Sequence, residues 1–195
     1  MKNKPSGSTA ADLMRDLSND SDFFRKQQIR ENVRHRKTST LLVAESPLVI
    51  ALKSVGISVE SIWDLVNTKK DYSRAIFVLR DHLRLPYPNE ILEGIARALA
   101  IPSAISIRSD LINFLNSNVN LNSNLMYAIC LAISATTDED NLQETLNLAG
   151  ESRLGDARLG LLFSIKKFRK NNLVQNILDK LSNDPVLSVE IKSWK

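Results

Sequence analysis

Leucines that return at a near-constant interval constrain this chain more than any other feature. From Asp71 onward, leucine-rich segments recur at Ala75–Leu83, Asp110–Leu115, Leu142–Leu146 and Leu173–Leu178; aligned on Leu83, Leu115, Leu146 and Leu178, the steps are 32, 31 and 32 residues. A second series, Gly94–Leu99, Ala128–Ile133 and Gly160–Ile165, aligned on Ile95, Ile129 and Leu161, steps by 34 and 32. Two independent registers with one period are the signature of a repeated helix pair. A single pair cannot bury its own apolar faces, so neighbours must stack to share a continuous core. Glycine inside a helix costs about 0.5–1 kcal/mol relative to alanine. Gly94 and Gly160, with Ala96 and Ala98, are therefore expected where the inner helices approach closely.

The rest of the chain also reads as helix. Six glycines and six prolines in 195 residues are few for a strand-and-turn protein, and no long stretch alternates strictly between apolar and polar. Residues 1–8 are polar and expected to be disordered. Residues 9–57 are expected to form N-terminal helices that cap the array, at Ala10–Leu17, at Ser21 to about Lys37 with Asp20 or Ser21 as N-cap, and from Ser46-Pro47 to a left-handed C-cap at Gly56. Residues 58–195 are the repeat array, opening with Ser58 as the cap of a helix over Val59–Val66 whose Val59, Ile62, Trp63 and Val66 share one face.

The segments Tyr72–Ile76, Pro86–Ala100 and Gly155–Leu161 resemble the short, PBS-lyase-type variety of HEAT repeat, and the likeness covers residues 59–194. What the resemblance implies is a right-handed α-solenoid of helix pairs used for protein–protein contact, or less often for nucleic-acid contact. In such proteins arginines on the inner helices brace adjacent repeats through acidic neighbours, which is the first role expected of Arg97 and Arg158.

Signatures of chemistry are missing. The two histidines, His35 and His82, and the lone Cys130 have no zinc spacing around them, so no metal or other cofactor is expected. Cys130 lies in an apolar run and reads as a small core residue of a reducing compartment. Gly150 to Asp156 has the glycine spacing of a phosphate loop, but Asp156-Ala157 stands where Lys and Ser/Thr are required. Asp138-Glu139-Asp140 suits the positive end of a helix better than a metal, and Trp63-Asp64 suits a core better than a base-stacking platform.

A non-catalytic protein-interaction module is thus expected, cytoplasmic and monomeric, with no membrane segment and with a protein partner, in the manner of an immunity or antitoxin-like factor. If inner helices line its groove, the contacts fall to Asn89, Glu93, Arg97, Asn124, Tyr127, Arg158 and Lys166. The alternative is a nucleic-acid binder resembling the solenoid DNA glycosylases. The chain's net charge of +4 lies wholly in residues 1–40, which hold nine Lys/Arg against five Asp/Glu. Arg30, Arg34, Arg36 and Lys37 are the candidates to grip phosphates, although the basic residues there occur at many spacings and Lys166–Lys170 is explained by a helix C-terminus.

Overall fold

The computed structural model describes residues 9–11, 21–118 and 121–194, and every regular element among them is helical. The expectations for residues 1–8, for most of Ala10–Leu17 and for Asp20 lie outside the described residues. No described helix is long and apolar enough to cross a membrane. The chain divides into two units, residues 1–43 and 44–195.

Helix α1 runs Ser21–Ser54, so no helix begins at Ser46-Pro47: Pro47 lies inside α1. Proline in a helix interior costs about 3 kcal/mol because it cannot donate to the carbonyl four residues back. Burial of Leu48 and Leu52, both fully inaccessible, holds the helix through that defect. The carbonyl that loses its partner belongs to Val43, the last residue of the first unit. In that unit residues 22–40 are exposed throughout. At its other end α1 stops at a left-handed glycine, Gly56, with φ +79°. Ile57 N–H donates to Leu52 O and Gly56 N–H to Lys53 O, each at 3.0 Å, the paired bonds of a Schellman cap.

Helix α2 (Ile62–Asn67) is capped by Ser61, not Ser58. Asp64 Oδ2 accepts from the Ser61 N–H at 3.0 Å while the Ser61 hydroxyl accepts from Trp63 N–H at 3.3 Å, a reciprocal box. The buried carboxylate of Glu45 on α1 accepts from Ile62 N–H and from the Ser61 hydroxyl, which places an anion on the positive end of α2. Trp63 is not core: it is 37% exposed, whereas Ile62 and Leu65 are buried.

Then come α3 (Ile76–Leu83), α4 (Asn89–Ala98), α5 (Arg108–Ser117), α6 (Ser123–Ala135), α7 (Leu142–Ala149), α8 (Leu162–Lys167), α9 (Asn172–Ser182) and α10 (Ser188–Lys192). Tight 3₁₀ runs cover Ser73–Ala75, Pro102–Ile107 and Ser152–Leu161. Consecutive helices pack in pairs, α3 on α4, α5 on α6, and α7 on both α8 and the run before it. The second members also touch in chain order: α2 with α4, α4 with α6, and α6 with Ser152–Leu161 and α8.

Both glycines of the second series stand at crossings. A Cβ on Gly94 would lie 2.5 Å from Ile62 Cγ2, and one on Gly160 would lie 3.0 Å from both Leu131 N and Tyr127 O. The helices can approach this closely only because those positions have no side chain. Ile95, Ile129 and Leu161, the aligned residues of that series, are fully buried beside them.

Two buried arginines tie the pairs together. Arg108 at the start of α5 donates from Nη1 to Ile133 O at 2.7 Å, from Nη2 to Thr145 Oγ1 at 2.8 Å, and from Nε to Glu144 at 3.1 Å. Arg158 reaches Asp184 through both terminal nitrogens, at 2.7 and 3.1 Å, and Gly155 O and Ala149 O through Nε and Nη1. A guanidinium has five donors and is tolerated in a low-dielectric interior only when they are met. Among the described residues no buried side-chain polar atom lacks a partner.

Candidate partner-binding surface

The register that aligns Ile95, Ile129 and Leu161 also aligns the positions two residues before them and two after. Glu93, Tyr127 and Leu159 form one set, and Arg97, Leu131 and Phe163 the other. The residues between the sets are buried against neighbouring helices, while all six of these remain wholly or partly accessible. Helical periodicity explains the pattern on α4 and α6, where positions four apart share a face; the third pair spans the junction of the Ser152–Leu161 run with α8.

The six differ in chemistry along the chain. On α4, Glu93 and Arg97 neutralise each other, Nε to Oε1 at 2.9 Å, one turn apart. Arg97 thus pairs within its own helix and does not brace a neighbouring repeat. On α6, and from the Ser152–Leu161 run into α8, the same positions are aromatic or aliphatic, and Phe163 is 64% exposed. A hollow of about 340 Å³ on one side of Phe163 is walled by Tyr127, Leu159 and Leu162, with Lys166 and Glu190 at its rim. A second, of about 300 Å³, is lined by Phe163 with Ala100, Leu131 and Ala135, by the hydroxyl-bearing Ser134, Thr137 and Ser164, and by Lys167.

Local sequence positions these groups firmly. Asn122 caps α6 by accepting from Leu125 N–H at 2.8 Å. Helix α8 is held against α6 by Ser134, whose Oγ accepts from Ser164 N–H at 2.9 Å and donates to Leu161 O at 3.4 Å. The bend into α8 needs Gly155 at φ +50°, a conformation that other residues rarely adopt.

Of the contact residues expected from the sequence, Tyr127 and Lys166 line the hollow beside Phe163, and Glu93 and Arg97 hold the aligned positions on α4. Asn89 and Asn124 are exposed near the starts of α4 and α6. Arg158 is the correction: it is buried and consumed by Asp184, so a partner cannot reach it. Phe163, Leu131 and Leu159 were missed because apolar residues in a repeat read as core, and only the register shared with Glu93 and Arg97 marks them as outward.

The polar residues weighed for chemistry have structural partners. His82 is partly buried against Tyr87: Nδ1 lies 2.8 Å from the Tyr87 hydroxyl, the rings stack, and burial pushes its pKa down. Asp138 Oδ1 accepts from the N–H groups of Asp140 and Asn141 just before α7, each at 3.1 Å. No cluster of three or more potential metal ligands occurs among the described residues. Cys130 is fully buried, and burial pushes its thiol up to about 12, which leaves it without nucleophilic thiolate.

On α1, the helix turn of 100° per residue gathers Lys26, Arg30, Arg34 and Lys37 within an arc of about 80°, while Arg36 stands about 120° round from Arg30. The basic residues are therefore less scattered than their spacing in the sequence suggests. Searches against protein-family models, curated proteins and solved structures return no match for this chain.

Proposed function

We propose that residues 58–195 form a HEAT-like α-solenoid and that the chain acts by binding a protein partner, without chemistry of its own, through the face carried by α4, α6 and α8. The solenoid reading is supported by second-member segments that touch in chain order, with Gly94 at the crossing of α4 on α2 and Gly160 at that of the Ser152–Leu161 run on α6. The binding reading rests on one observation: Phe163, a large aromatic side chain, stands exposed between two hollows at a position whose neighbours along the chain are core. Aromatic side chains that bury into a partner supply the largest single contributions to interfaces, and an exposed one beside preformed hollows is an anchor waiting for a complement. An immunity-like role, in which the face occludes a partner's working surface, fits a module of this kind.

Affinity capture from the source cell, comparing the wild-type chain with Phe163→Glu, tests the reading. The wild type is expected to retain a protein that Phe163→Glu loses, with the variant's melting temperature unchanged. Identical capture by both would contradict it.

A second reading, nucleic-acid binding by α1, is favoured by the stripe of Lys26, Arg30, Arg34 and Lys37 on one helical face. Titration against duplex DNA at two salt concentrations separates it: salt-dependent binding weakened by Arg30→Gln and Arg34→Gln supports it, and absence of binding at low salt removes it.

A further inference from the structure

We infer that the segment docking on this face is an acidic polypeptide, an aliphatic side chain flanked by carboxylates; this rests on the protein-binding reading above and names the partner's chemistry. Both hollows beside Phe163 combine apolar walls with a lysine: Lys166, paired with Glu190, on one, and Lys167 on the other, where Ser134, Thr137 and Ser164 add hydroxyls. Where α8 ends, a third concavity of about 720 Å³ shares Lys166 with the first hollow and Lys167 with the second, and is bordered by these two, Arg169 and Lys170 against a single acid, Glu139.

The helix end does not account for so much charge. A helix C-terminus carries the equivalent of about half a negative charge, and four cations crowd around it. Lys166 has Glu190 at 3.7 Å, a half-exposed pair, and Arg169 donates to Trp194 O at 3.3 Å. Lys167 lies 5.0 Å from the centre of the Phe168 ring, and neither it nor Lys170 makes an ion pair among the described residues. Cations grouped at the rim of an apolar hollow attract and orient a segment of opposite charge and repel one of the same sign.

The same geometry favours polypeptide over a polyphosphate chain. Successive phosphates need cations along the whole path. Here the face is electrically balanced at its α4 end, where Glu93 holds Arg97, and carries Glu190 beside Lys166. The hollow walled by Tyr127, Leu159, Leu162 and Phe163 matches an aliphatic side chain.

Fluorescence anisotropy with the full chain tests this, using four labelled probes of equal length. These are a peptide alternating pairs of leucine and glutamate, its counterpart with lysine for glutamate, polyglutamate, and single-stranded oligothymidylate. The leucine–glutamate peptide is expected to bind about tenfold or more tightly than the other three. Phe163→Ala and, separately, Lys167→Glu with Lys170→Glu should each weaken it about fivefold or more, the lysine changes losing their effect at high salt. All three residues are exposed, so melting curves matching the wild type certify the fold. Equal binding of the leucine–lysine peptide, still sensitive to Phe163→Ala, would overturn the acidic assignment and leave the docking face standing. Binding of the leucine–glutamate peptide that ignores Phe163→Ala would sink the face itself. Tighter binding of oligothymidylate, or no binding of the leucine–glutamate peptide, would also overturn the inference.

Discussion

Arg158 Nη1 lies 2.7 Å from Asp184 Oδ2, and the arginine side chain is only 4% exposed. This contact ties the 3₁₀ run that leads into α8 to the turn between α9 and α10, 26 residues on. The surface around Phe163 depends on it, because α8 continues directly from that run.

Removing the carboxylate would leave the guanidinium buried without its counter-charge. Asp184→Asn should destabilise the chain by about 3 kcal/mol at neutral pH. The hydrogen bond from Arg158, helped by the N–H groups of Val186 and Leu187, holds the Asp184 carboxyl below the ordinary range. Its folded pKa is depressed, so the stability it adds is present above the unfolded carboxylate value near about 3.9 and is lost as pH falls through the folded value. Urea unfolding should therefore show a gap between wild type and Asp184→Asn that is full at pH 7 and narrows in strong acid. A gap independent of pH would contradict the assignment.

Arg108 makes a sharper internal comparison, because its partners differ in exposure. Burial pushes the Arg108 pKa down while the half-exposed Glu144 pushes it up. Glu144→Gln should cost less than about 1 kcal/mol, since solvent screens that pair. Arg108→Met strips donors from Ile133 O and the buried hydroxyl of Thr145 and should cost about 2–4 kcal/mol. Equal costs in denaturant titrations would show that the ion pair, not the buried hydrogen bonds, carries the contact.

The period of the leucines made the helix pairs legible from sequence, and the burial of Leu83, Leu115 and Leu146 shows why: each is a core contact that every pair must repeat. Leu178 is only half-buried and lines a concavity with Ile191 and Trp194. What the sequence concealed is non-local. Pro47 reads as a helix start until the burial of Leu48 and Leu52 is known. Ser58 and Ser61 are equivalent caps until Asp64 and Glu45 choose between them. Arg108 has partners 25 to 37 residues away, and no local pattern announces them. Trp63 reads as core, and nothing local marks Phe163 as outward, because apolar spacing alone does not say which side of a helix is covered.

The glycine crossings give a third expectation. Gly160→Ala places a Cβ 3.0 Å from two backbone atoms of α6, which cannot rotate away, and should lower stability by about 1–3 kcal/mol. Gly150→Ala, at an exposed helix end with ordinary φ, should change it by no more than about 0.5 kcal/mol. Thermal melts of the two variants check the contrast.

Cys130 supplies a probe of the whole array. With its thiol buried and pushed up to about 12, modification by a disulfide reagent in native buffer should proceed only through opening of the fold. The rate should rise with urea in step with unfolding and rise in Gly160→Ala, whose strained crossing touches Cys130 Cβ at 3.1 Å. Rapid labelling of the native chain would contradict the packing of α6 against α8.

The most direct measurement is site-specific photo-crosslinking in the source cell, with a benzophenone side chain at position 163 in one variant and at Phe77, exposed on α3, in another. A binding face around Phe163 gives a discrete protein adduct from position 163 and none of the same identity from position 77. Adducts from 77 alone, or the same adduct from both, would contradict a binding face on α4, α6 and α8.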